Sequence, residues 1–197
     1  TYINNSKDYL MKKKITILLI LLDIILILIN VVSIGISYQD NKKYLSSIEV
    51  VYDNNLNSAN SKPNDIVGTI NLSKSYYLVQ GHDNTFYQNH GPNKEENNYG
   101  SIFVDYRCNL LEDDACYIYS HSSNSYDLPF NELLKYQDIN YFNNHKYIKI
   151  SYFNHELLYE VVAITSNYED YQGPYLYLQT CKLDKTGLII LVLKRLK

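Results

Sequence analysis

Two hydrophobic textures divide the chain. Positions 15–36 are apolar almost throughout, interrupted by Asp23, Asn30 and a few small residues. About 20 apolar residues suffice to span a bilayer as a helix, so this run predicts one transmembrane helix over 15–37. Asp23 costs about 2.5–3.5 kcal/mol if it inserts at a helix centre, which the surrounding leucines and isoleucines offset. Beyond residue 64 apolar and polar residues alternate in short runs separated by turn residues. Runs at 66–72, 76–79, 101–106, 116–119, 147–152, 157–165, 175–180 and 188–193 predict strands. One helical pattern interrupts them at 129–137, where Phe130, Leu133 and Leu134 share a face and Pro129 suits a first turn. Between the two textures, 38–63 is polar and predicts a stalk with a short helix, and 54–64 is an Asn/Ser-rich loop with Pro63. Short strands with few helices predict a mainly-β fold, an eight-stranded barrel preceded by one transmembrane helix.

The flanks of the apolar run orient it. Met11 followed by Lys12, Lys13 and Lys14 reads as a natural start, and those lysines place residues 1–14 in the cytoplasm. The run is longer than a cleavable signal and leaves through Ile36, Ser37, Tyr38 and Gln39 without an A-x-A site, so it reads as an uncleaved signal anchor. Residues 64–197 then form one domain outside a single-pass membrane anchor.

Charge and composition narrow the classes. A formal net charge of −3 gives no basic footprint for nucleic acid. Three cysteines are too few for a disulfide scaffold. Cys108 and Cys116 flank a short segment, and either a local disulfide or two free thiols fits them. His82, His90, His145 and His155 lie at no metal-ligand spacing, so no metal or other cofactor is expected. The acidic run Glu112, Asp113 and Asp114 reads as a solvated turn rather than a calcium site, which needs six to eight converging oxygens. The tyrosine-rich stretches read as amphipathic strand faces.

Candidate chemistry sits at two strand ends. Cys181 closes the run at 175–180, just before a polar turn, and His121 follows the run at 116–119 in the same way. Strand ends that meet would unite a thiol with an imidazole, a nucleophile with a proton carrier. By residue type alone a cysteine is more often an inert small hydrophobe, and His before Cys is not the papain-like order.

The order of motifs adds to this. Asn64-Asp65-Ile66-Val67-Gly68, Val79-Gln80-Gly81-His82-Asp83-Asn84-Thr85-Phe86-Tyr87, Gly100-Ser101-Ile102-Phe103-Val104-Asp105-Tyr106-Arg107, Ile118-Tyr119-Ser120-His121 and Leu178-Gln179-Thr180-Cys181 follow one another. So do the stretches at 130–136 and 142–148. Together, over 64–197, they resemble the class B sortases, membrane-anchored cysteine transpeptidases of Gram-positive bacteria. The resemblance implies a sortase-type barrel with His121 and Cys181 as catalytic residues, and Asn84 and Thr180 contacting substrate. It implies partners as well: secreted proteins bearing a C-terminal sorting signal, and the amine of a peptidoglycan precursor or pilin.

Three departures stand against that pattern. The family's catalytic arginine, in Gly-Arg-Leu, meets Gly187-Leu188-Ile189 here, so the position falls on Leu188 or Ile189. The only arginines are Arg107 and Arg195; Arg195 lies some 20 Å along the strand from Leu188, on the opposite face. Lys182 and Lys185 offer charge without the planar guanidinium fork. Class B enzymes insert a helix-bearing segment before the cysteine strand, where this chain has only 166–174. Tyr177 and Gln179 replace small polar residues, which predicts a narrowed groove. An alternative is therefore a degenerate sortase-fold protein that binds a sorting signal or wall component without efficient catalysis; a third reading is an unrelated cysteine hydrolase.

Overall fold

The computed structural model describes residues 2–48, 65–168, 171 and 174–196. The predicted loop at 54–64 and most of the predicted stalk lie outside them. Two compact units are present, residues 1–42 and 43–197.

The first unit belongs to helix α1, Tyr2–Ile48. Its stretch Met11–Lys43 is long and apolar enough to cross a membrane, and none of it is buried within the protein. The apolar run and the first residues of the predicted stalk, through Ile48, form one uninterrupted helix. No Gly or Pro interrupts the sequence between Ser37 and Ile48, which leaves the backbone bonds of α1 free to continue.

The second unit is a closed barrel of eight strands: β1 Ile66–Asn71, β2 Ser75–Val79, β3 Ile102–Val104, β4 Cys116–Tyr119, β5 Tyr147–Tyr152, β6 His155–Thr165, β7 Tyr175–Cys181 and β8 Leu188–Arg195. They neighbour one another in the order β1-β2-β3-β4-β7-β8-β6-β5, and β5 returns to β1. The pairs β2–β3 and β4–β7 are parallel and the rest antiparallel. All eight predicted strands are present; β3 is shorter than expected and β6 and β8 are longer.

Alternation explains which way each strand faces. In β5 and β6, every second residue is buried, Ile148, Ile150 and Tyr152 against Leu157, Tyr159 and Val161. Strand β8 breaks this rule and is apolar on both faces. Its Ile189, Leu191 and Leu193 fill the barrel, while Ile190 and Val192 enter a second cluster outside it with Ala163 and Tyr177. Tyr168 and Tyr171, from the short β6–β7 connection, pack on that outer cluster. Gly68 is required where β1 meets β5, because a Cβ there would lie 1.8 Å from the Ser151 carbonyl oxygen.

The predicted helix at 129–137 appears as α2, Asn131–Lys135, with Phe130 and Leu133 fully buried under it. A second short helix, α3 Ile139–Asn144, was not anticipated. Its signal is Asp138, whose carboxylate accepts from the backbone N–H groups of Asn140 and Tyr141 as an N-cap.

Candidate active site

Strands β4 and β7 run parallel with Tyr119 beside Gln179, and the Ser120 N–H donates to the Gln179 carbonyl at 3.3 Å. Counting two residues onward on each strand puts His121 beside Cys181. Burial alternates in step on both. Ile118, Ser120, Leu178 and Thr180 are buried toward the interior, whereas Tyr119, His121, Gln179 and Cys181 lie on the outer side. Cys181 is exposed and free, and His121 is half-buried.

All four residues singled out from the sequence, His121, Cys181, Asn84 and Thr180, line one pocket of about 270 Å³. Tyr119 and Gln179 also border an open groove of about 630 Å³ lined by Tyr117, Tyr168 and Arg107. Tyr177 does not narrow the pocket. It is buried in the outer cluster, its hydroxyl donating to the Tyr171 carbonyl, and Gln179 alone of the two replacements reaches the site.

Local hydrogen bonds fix the site. His121 Nε2 faces the Gln88 carbonyl oxygen at 2.8 Å. A carbonyl only accepts, so Nε2 carries a hydrogen, and Nδ1 is the nitrogen that can exchange a proton. Ser122 Oγ donates to the Cys181 carbonyl and Asn124 Nδ2 to the Leu183 carbonyl, tying the segment after β4 to the end of β7. The Gln88 carbonyl is itself delivered by a 3-10 turn, Phe86–Gln88, whose start is capped by Asp83 accepting from the Thr85 and Phe86 N–H groups. Those bonds, the Phe86 one first, hold the Asp83 carboxyl below its usual range.

Asn84 is committed rather than free. Its Nδ2 donates to Asp105 Oδ2 at 2.8 Å and its Oδ1 accepts from the Tyr106 N–H. Asp105, fully buried, also accepts from the Tyr119 hydroxyl and from Nε and Nη2 of Arg107. The Arg107 bonds hold the Asp105 carboxyl well below the usual carboxylate range, against the opposite push of burial. Burial, and then the Asp105 charge, hold the Tyr119 phenol above its usual range, so it remains a neutral donor. Sequence reasoning passed over this network, although an Asp two residues before one of only two arginines was legible as a pair.

The register places Leu188 directly across from Cys181, on the same outer side. Arg195 is at the far end of β8, its Nη1 donating to the Leu110 and Leu111 carbonyls, and Arg107 is held by Asp105. Lys185 sits in the β7–β8 turn at φ 59°, and the stem of Lys182 lies along Gly187. Thr180 Oγ1 and Ser120 Oγ are buried with no hydrogen-bond partner among the described residues. Cys108 and Cys116 are both free thiols, and the neighbouring Cys108 thiol, together with burial, pushes the Cys116 thiol up. Asn109 and Asp113 close the acidic run into a turn, and among the described residues no cluster of His, Cys, Asp and Glu could hold a metal ion.

No protein-family model and no curated protein sequence matches the chain. Solved structures do. Sortase B of Clostridium perfringens matches with a TM-score of 0.59 at 26% identity, over 68% of this chain and 94% of that one. The chain has the class B sortase fold. Sortase B of Bacillus anthracis matches at TM-score 0.63 and 18% identity, over 81% and 94%. A class B sortase of Streptococcus pyogenes involved in pilus biogenesis matches at 0.58 and 22%, over 69% and 94%. On this fold the chain has a histidine just beyond β4 and a cysteine at the end of β7, with a leucine across from the cysteine.

Proposed function

We propose that the chain is a membrane-anchored, sortase-type cysteine transpeptidase, with 15–37 as the anchor and 64–197 as the catalytic domain outside the cell. The observation that carries this reading is the parallel β4–β7 register, which brings His121 and Cys181 to one pocket on a class B sortase barrel. Cys181 attacks a backbone carbonyl in the C-terminal sorting signal of a secreted protein, its thiol proton passing to His121 Nδ1. The tetrahedral adduct collapses to a thioester, and His121 returns the proton to the departing amine. An amine of a peptidoglycan precursor or pilin then takes the acyl group. His121 is suited to both transfers because Gln88 holds its Nε2 in place. Thr180 lines the cleft beside Cys181, and Asn84 serves it by bracing Asp105 and Tyr106.

A second reading has a specific observation behind it. Leu188 cannot donate a hydrogen bond, and it faces Cys181 where the family carries a guanidinium. A protein that binds a sorting signal without cleaving it fits that substitution. Intact mass of the detergent-solubilised chain, incubated with a pool of sorting-signal peptides, separates the two. A peptide adduct on the parent chain, absent from Cys181→Ala and discharged by triglycine, establishes the transpeptidase. Peptide binding with no adduct establishes the binder.

A further inference from the structure

The strand register specifies what surrounds Cys181 on the outer side of the sheet. Leu188 lies across on β8, His121 follows two residues beyond the end of β4 and lines the same pocket, and Gln179 is two residues back on β7 itself. Any group that stabilises charge on an attacked carbonyl must come from this ring or from the pocket walls. Most of the polar candidates are already engaged. Asn84 Nδ2 donates to Asp105, Gln88 Nε2 to the Asn84 carbonyl, and the Tyr119 hydroxyl to Asp105. Ser120 and Thr180 also line the pocket and their hydroxyls have no partner among the described residues, but both oxygens are buried from solvent, whereas Cys181 is exposed. Ser122 is occupied by the Cys181 carbonyl.

Gln179 combines an unengaged donor with a place on the exposed side of the strand. It is half-buried, lines the pocket, shares the outer side with Cys181, and its amide makes no side-chain hydrogen bond among the described residues. Its Cα lies about 6.6 Å from that of Cys181, two strand rises away, within reach of its three-torsion side chain.

We propose that Gln179 Nε2 donates to the oxygen of the carbonyl that Cys181 attacks, supplying the stabilisation that the missing guanidinium does not. The assignment rests on Cys181 acting as an acyl-accepting nucleophile. As the Sγ–C bond forms, the thiol proton passes to His121 and the carbonyl π pair moves onto oxygen, where the Gln179 N–H meets it. Collapse restores the C=O bond and expels the leaving group with the proton held by His121. An amide donor is neutral, so it favours the oxyanion by direction and proximity rather than by net charge.

The experiment compares two reactions of the same thiol in the full-length chain in detergent. p-Nitrophenyl acetate acylates through an oxyanion, whereas iodoacetamide alkylates by displacement and forms none; adducts at Cys181 are read by peptide mass. Gln179→Ala should slow acylation about 10²-fold and leave alkylation unchanged. Adding Leu188→Arg to Gln179→Ala should restore acylation. Parent-like acylation in Gln179→Ala overturns the assignment, as does an equal fall in both reactions, which would mark a general disturbance of the thiol. If the parent chain shows no acylation above Cys181→Ala, the assignment also fails. Ester acylation that depends on Gln179, without a sorting-peptide adduct, would sustain Gln179 as the donor while removing the transpeptidase reading.

Discussion

Replacing Asp105 by Asn tests whether one buried carboxylate organises the cleft. Asp105 has no solvent exposure and accepts from Asn84, Tyr119 and Arg107, including the Arg107 backbone N–H. Asparagine keeps the shape but turns one oxygen into a donor, which then faces donors. Hydrogen bonds to a buried charge are each worth about 1.5–3 kcal/mol. The Arg107 side chain is 65% exposed, so its contribution is screened. Most of the loss comes from Asn84 and Tyr119, and a total of about 2–3 kcal/mol is expected, lowering Tm by roughly 5–10 °C.

The pH dependence supplies the sharper check. The folded-state pKa of Asp105 is depressed, so its stabilisation is fully present above the unfolded value of about 3.9 and declines as pH falls below it. At pH 3 the unfolded state has taken up most of a proton while the folded carboxylate has not. That difference removes about 1.3 kcal/mol of the parent's advantage. Thermal unfolding of both chains, followed by near-ultraviolet circular dichroism, should therefore show a gap at pH 7 that narrows by about half at pH 3. An unchanged gap, or none at pH 7, would refute the view that ionised Asp105 holds the network.

Two further outcomes follow from the geometry. Gly100 sits at φ +63°, and a Cβ there would lie 2.5 Å from the Gln88 carbonyl oxygen that holds His121. Gly100→Ala should cost at least about 1 kcal/mol and slow Cys181 acylation as well; a stability loss with parent-like acylation would separate that loop from the histidine. Under native conditions iodoacetamide should label exposed Cys181 well before Cys116, which is 3% exposed, and denaturant should abolish the difference in peptide-mapped labelling. Equal native rates at the two thiols would contradict the packing of β4.

The barrel strands were legible because a strand buried on one face writes its orientation in period two, as β5 and β6 do. Strand β8 was legible as an apolar run, but not the reason for its second buried face, since the cluster around Tyr177 draws on β4, β6, β7 and β8 together. Helix α3 was missed because its own residues include no buried side chain and show no apolar stripe, only the capping Asp138.

The candidate site divides in the same way. Residue type and position at a strand end raised His121 and Cys181 as candidates, and the resemblance to class B sortases singled them out and set Leu188 where that family has a guanidinium. Sequence is local, however, and which strands become neighbours depends on long-range closure. Only the parallel pairing of β4 with β7 made the thiol and the imidazole neighbours. Only the folded chain showed that Asn84 is spent on Asp105, and that the Gln179 amide makes no side-chain hydrogen bond among the described residues. Hydrogen-bond supply and demand is settled among groups distant in sequence, so the tertiary structure decided which polar side chains remain available for chemistry.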